Sequence, residues 1–189
     1  MKPRALISFG KLAVALALAL TSNTLLPDAS WAQTSVFASV DGLQCSSTDA
    51  SFPGAIIVRS LSGGVSRDNT GGAGSGGPSG PPVLAPLSIA KDFDQCSPLL
   101  FRAAVVSQAF KRVTITFVRE GASRSAFFVI ELTNIVVQDI SIGANNDRAS
   151  KNVSFAFDTI TLTDIRVDAS GKSAGTVVIS CDVKSLKCL

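Results

Sequence analysis

The sequence predicts a mainly β protein: a small antiparallel β-barrel of two sheets with one short flanking α-helix. Three observations carry that prediction. Apolar and polar residues alternate in several separate runs, such as Val113-Thr114-Ile115-Thr116-Phe117, which is the period of a half-buried strand. Turn signals such as Asp41-Gly42 and Gly143-Ala144-Asn145-Asn146-Asp147 punctuate those runs. Only one stretch, after Ser97-Pro98, has helical spacing.

The first 32 residues are set aside from the fold. Lys2, Arg4 and Lys11 form a positive region, and Leu12–Leu20 is continuously apolar. A polar stretch then ends in Ser30-Trp31-Ala32, with small residues where a leader peptidase needs them. This is the layout of a cleaved signal peptide, with the cut between Ala32 and Gln33. The apolar run is well short of the ~20 residues that span a membrane. No later segment reaches that length without a charge or turn, so no membrane span is expected after cleavage. The sequence thus predicts a signal peptide at 1–32 and a single barrel domain at 33–189.

The strands follow in order. Val36–Val40 is the first, closed by Asp41-Gly42, and Gly54–Ser60 is the second β-branched run. Residues 63–82 are rich in Gly, Ser and Pro, the composition of a flexible loop. Leu84–Ile89 is a further strand. Ser97 then supplies an N-cap and Pro98 the first helical position. Leu99, Ala103, Val106 and Phe110 follow at spacings that predict one buried helix face. The period changes to two after Lys111-Arg112. Ser125–Ile142 is a long strand, bent or bulged near Thr133-Asn134. Val153–Val167 is another, with slips of phase at Asp158-Thr159 and at Thr163-Asp164 that predict bulges or a tight corner. Thr176–Val183 is the last. Seven or so strands result.

Composition excludes several function classes. The formal charge of +3 belongs mostly to the leader, since removing Lys2, Arg4, Lys11 and Asp28 leaves +1. That gives little basis for nucleic-acid binding. The chain has no His, so the usual base for a Ser or Cys nucleophile is missing. Ser150-Lys151 and Ser173 beside Lys172 have the look of ordinary turn residues. Glu120 and Glu131 are the only glutamates, a poor supply for paired-carboxylate chemistry. The GxGxxG at 72–77 is followed by Pro78, Pro81 and Pro82, so no helix can start there to hold a dinucleotide. Asn145, Asn146 and Asp147 lack the rest of a calcium ligand set. No catalytic residue, cofactor or metal site is expected.

All four cysteines, Cys45, Cys96, Cys181 and Cys188, lie beyond the leader. An even count in an exported chain favours two disulfides. Three pairings are possible. Cys45–Cys96 with Cys181–Cys188 is preferred, because the second pair closes a short loop, and free buried thiols are the alternative. The basic residues Lys111, Arg112, Arg119 and Arg124 are solvated strand ends on the simplest view. The other view makes them contacts to Asp92, Asp94 or Asp139 of a neighbouring subunit.

The order of these segments resembles the Hcp (hemolysin-coregulated protein) family, whose members form the tube of type VI secretion systems. The matching features are the turn Val40-Asp41-Gly42 and the Gly-rich loop Thr70 to Pro82. Next come Lys91, Asp94, Ser97, Pro98 and Leu100, which fit K-x-x-D-x-x-S-P-x-L, and the strand Lys111 to Thr116. Ile130, Leu132 and Val137 follow, then Lys151, Val153, Ser154 and Phe157, with Phe155 where the family has Leu. Each motif is weak alone, but their collinear order over residues 36 to 167 is specific. The resemblance implies a non-enzymatic structural protein that self-assembles, as a homohexameric ring, with secreted effector or spike proteins as further partners. With the leader, it implies an exported, periplasmic or secreted ring former. The alternative is a monomeric secreted or periplasmic β-barrel binding module that has lost assembly.

Overall fold

Ten strands and one helix make up residues 33–67, 80–121, 124–144, 149–168 and 173–189, which the computed structural model describes. The strands are β1 (Thr34–Val40), β2 (Ile56–Val58), β3 (Ser60–Ser66), β4 (Val83–Asp92), β5 (Ala109–Arg119), β6 (Ser125–Ala144), β7 (Ala149–Ala156), β8 (Thr159–Val167), β9 (Ser173–Asp182) and β10 (Lys187–Cys188). The helix, α1 (Ser97–Val105), lies between β4 and β5. The leader and the 72–77 and 145–147 motifs lie outside the described residues.

β6 organises the sheet. One edge pairs with β5; along the other, β7 pairs with residues 136–144 and β8 with residues 128–133. All pairings are antiparallel. Three arms leave this hub: β5–β1–β2, β7–β4–β3 and β8–β9–β10. A strand of this length has to bend to serve three arms. The bend comes at Asn134, with φ of 52°, and at a register shift between Val137 and Asp139. Asn tolerates the left-handed region better than β-branched residues do, which is why the Thr133-Asn134 signal marks the place.

The first two arms curl towards each other over a shared core. Ile89, Val113, Ile115, Leu132, Ile135, Val153 and Phe155 are completely buried there. Among the described residues, no strand pairing joins the far ends of the two arms. The chain passes from β2 to β3 through Arg59 alone, whose N–H donates to the Ala90 carbonyl (2.8 Å). The fold is thus all-β and barrel-like. Its hydrogen-bonded circuit is open, with the covalent chain in place of a ladder at the seam.

Several local expectations need correction. The run Gly54–Ser60 is two strands, and the second continues to Ser66 through Gly63 and Gly64. Pairing with β4 overrides the weak strand preference of glycine. The N-cap of α1 is Cys96, with no side-chain cap bond, and Ser97 is already helical. The helix stops at Val105, Ser107 takes φ of 52°, and Phe110 belongs to β5. Leu99 and Val106 are exposed, while Leu100 and Ala103 are buried. The break between β7 and β8 falls beside Asp158, but the pairing of β8 with β9 runs without a shift through Thr163 and Asp164 and slips only at Arg166/Val167.

Disulfides join Cys45 to Cys96 and Cys181 to Cys188. The first ties the β1–β2 loop to the start of α1. That loop is compact: the Cys45 N–H donates to the Gly54 carbonyl (2.7 Å) and the Gly54 N–H to the Ser47 carbonyl (2.8 Å). Gly54 has φ of +68°, and a Cβ there would run into the Gln44 side chain. At the mouth of the loop, Arg124 pairs with Asp49 (2.7 Å) and lies over the stacked rings of Phe37 and Phe52. The second disulfide holds the two-residue β10 to β9.

The two disulfides differ in the chain they constrain, with sequence separations of 51 and 7. Loop-closure entropy then predicts a loss of about 4 kcal/mol for Cys45→Ala/Cys96→Ala and about 2 kcal/mol for Cys181→Ala/Cys188→Ala. Urea unfolding of the two double variants checks both the order and the sizes.

Candidate functional site

The distinctive polar cluster of this fold lies beneath α1. Lys91 and Lys151 stand opposite each other in the β4–β7 ladder. Alternation along β4 places Lys91 with Leu87 and Ile89; along β7 it places Lys151 with Val153 and Phe155. Both lysines therefore point inward. The Lys91 side chain is fully buried. Its ammonium donates to Asp94 Oδ1 (2.6 Å), Ser97 Oγ (3.0 Å) and the Asp92 carbonyl (2.8 Å). That uses all three of its protons. The Lys151 ammonium donates to the Ser97 carbonyl (3.1 Å) and sits 5.1 Å from the centre of the Phe93 ring.

Asp94 is the anion of the cluster. Besides Lys91, its Oδ1 accepts from Ser97 Oγ (3.0 Å), and its Oδ2 accepts from Ser46 Oγ (3.2 Å) on the β1–β2 loop. Cys96 Sγ lies 3.3 Å away, bonded to Cys45, so neither sulfur is a free thiolate ligand for a metal. Burial pulls Lys151 below the usual lysine value of 10.5; the charge of Lys91 adds to that shift and Asp94 opposes it. The cluster therefore joins two strands, the helix start and a loop through one carboxylate. Neither Ser150 nor Lys151 is a turn residue: both lie in β7.

The other polar candidates are dispersed. Glu120 pairs with Arg124 (2.9 Å) and Glu131 with Arg112 (3.5 Å), so each glutamate has its own arginine. Asp92 pairs with Arg59. Asp94 is buried under Lys91, which removes it from the surface as a contact for a neighbour. Asn152 is exposed on β7, with its amide on Ser141 Oγ (3.3 Å).

Among the described residues, exposed apolar side chains occur on several elements, α1 and β9 among them. On α1 they are Phe101 and Val105, with Val106 just after the helix; Val105 is 70% exposed. On β9 they are Val177, Val178 and Ile179. The outer edge of β9 pairs with β10 only at Cys181 and Asp182, and Ser180 exchanges bonds with Leu189. Among the described residues, no strand covers the edge at residues 174–179. No signal in the sequence separated these outward apolar residues from inward ones.

With the fold and its polar cluster defined, comparison with known proteins gives a consistent result. Residues 37–163 match the family described as "Type VI secretion system effector, Hcp". The chain belongs to the Hcp family. Solved structures agree in fold. A type six secretion system protein superposes with a TM-score of 0.75 at 22% identity, covering 83% of this chain and 100% of its own. Hcp1 from Salmonella typhimurium gives 0.68 at 20% identity, covering 82% and 99%. A type VI secretion system effector from Yersinia pestis gives 0.63 at 19%, covering 78% and 99%. No curated protein sequence matches. The Hcp match spans both lysines, Asp94 and Ser97, and ends within β8, so β9 and β10 lie beyond it.

Two outcomes follow for the lysine cluster. Lys91→Met leaves the Asp94 carboxylate buried without its closest cation and is expected to cost about 3 kcal/mol or more. Lys151→Met removes a charge that burial already disfavours and is expected to cost about 1 kcal/mol or less. Because the Lys151 value is lowered on folding, the unfolded chain holds more protons between that lowered value and 10.5. Its contribution to stability therefore rises with pH across that window and levels off above 10.5. Denaturant unfolding of wild type and Lys151→Met should show wild type gaining on the variant as pH rises; a constant difference would contradict the assignment.

Proposed function

We propose that this chain is an exported structural protein of the Hcp type that assembles into a closed homo-oligomeric ring. The observation that carries the proposal is the Hcp match across residues 37–163. In this proposal, residues 1–32 are removed as a signal peptide between Ala32 and Gln33. Residues 33–189 form the barrel that works in the periplasm or outside the cell. The ring has six subunits, as the family resemblance implies, and its non-enzymatic role is that of a tube-like component. Secreted effector or spike proteins are its further partners.

The surface supports a cyclic arrangement. A ring needs two different patches that meet across each subunit boundary. The outer face of α1 and the open edge of β9 are two such patches, each apolar. Exposed apolar residues on an open strand edge invite pairing with another chain. Among the described residues no helix is long and apolar enough to cross a membrane.

Light scattering after size exclusion of the exported, oxidised protein is expected to give a mass near six subunits, with its first residue Gln33. Phe101→Glu and Val178→Lys are each expected to lower that mass while leaving the fold intact by circular dichroism. A monomer at high micromolar concentration would sink the ring and leave a secreted binding barrel.

A further inference from the structure

The core opens at one end. A groove of about 350 Å³ lies between the β3–β4 hairpin and the β8–β9–β10 arm. Its floor is apolar: Leu84 and Leu87 face Phe157, Ile160 and Leu162. The last three are only half-buried, although they pack against the main core. One wall is fixed covalently, because Cys181 and Cys188 both line the groove and are bonded to each other. A cavity of this size at the mouth of a β-barrel is suited to a small ligand, and walls held in place reduce the ordering cost of binding.

Two charges stand at its rim. Asp182 is already engaged: its Oδ1 accepts from the Ser185 N–H (2.6 Å), and together with Lys184 that contact holds its carboxyl below the usual 3.8. Arg67, on the opposite wall, has no carboxylate partner among the described residues. An apolar trough with a guanidinium at its lip that no carboxylate among the described residues engages suits a molecule with an aliphatic tail and a single anionic head.

We propose that this groove binds a free aliphatic monocarboxylate. The alkyl chain lies over Leu84, Ile160 and Leu162, and the carboxylate meets Arg67 in a charge-assisted, two-pronged contact. The fixed charge of Asp182 repels the head from the β9 wall and so sets the direction of the ligand. The site uses neither the face of α1 nor the β9 edge, so it stands or falls separately from ring formation.

The test uses the exported, oxidised protein, titrated calorimetrically with decanoate, decanol and decyltrimethylammonium below their micelle concentrations. Decanoate is expected to saturate at one per chain and to bind about tenfold more tightly than decanol or the cation. Arg67→Gln is expected to bring decanoate down to the decanol level. Val65→Trp fills the groove from a position that is 65% exposed, leaves the buried core untouched, and is expected to abolish binding with an unchanged thermal melt. Absence of saturable binding overturns the proposal, as does equal affinity for the three probes.

Discussion

Two positive charges face each other inside an apolar core, and the fold tolerates them only because of what is placed between. Lys91 and Lys151 are register partners on neighbouring strands. In an otherwise hydrocarbon interior such a pair would be strongly unfavourable. Asp94 neutralises one of them at 2.6 Å, and the first turn of α1 supplies Ser97 Oγ to the same ammonium and the Ser97 carbonyl to the other. The helix must therefore start where it does. A shift of one residue would withdraw both oxygens together. Ser46 and the Cys45–Cys96 bond bring the β1–β2 loop to the same point, so strand, loop and helix positions are all set by one carboxylate and its surroundings.

Much of this architecture was visible in the residue pattern. The alternation at 113–117 places β5, and Thr133-Asn134 marks the bend of β6. The phase of α1 was not visible, for a physical reason. Leu99, Leu100, Phe101, Ala103, Ala104, Val105 and Val106 surround the helix almost completely, so there was no polar face to say which side turns inward. β3 was hidden by glycine. Gly63 sits at the register shift of the β3–β4 pairing, where a Cβ would come within 2.6 Å of Leu87 Cδ1, a tertiary contact that local propensity cannot report. β10 has two residues and depends on its disulfide, which puts it below any periodic signal.

The polar cluster was half legible. Lys91 and Lys151 each continue an alternating apolar series, Leu87-Ile89-Lys91 and Lys151-Val153-Phe155, so their inward direction was present in the parity of the strands. Charge normally argues for the surface, and that general expectation masked the local one. The outward apolar residues of α1 and β9 carry no mark of their own. An exposed Val and a buried Val look alike until the neighbouring strands are in place.

The position of β6 also governs how the molecule is put together in time. The segments from β5 to β9 pair with neighbours close by in the chain: β5 with β6, β6 with β7 and β8, and β8 with β9. Closing such local contacts costs little loop entropy. β1 must instead find β5 across the whole intervening segment, matching Val40 to Val113, and β4 must reach β7, matching Leu87 to Phe155. The meander is thus the natural nucleus, and the N-terminal strands dock on it afterwards. Cys45 comes beside Cys96 only when the β1–β2 loop meets the start of α1, so on this ordering the longer disulfide closes after the local pairings.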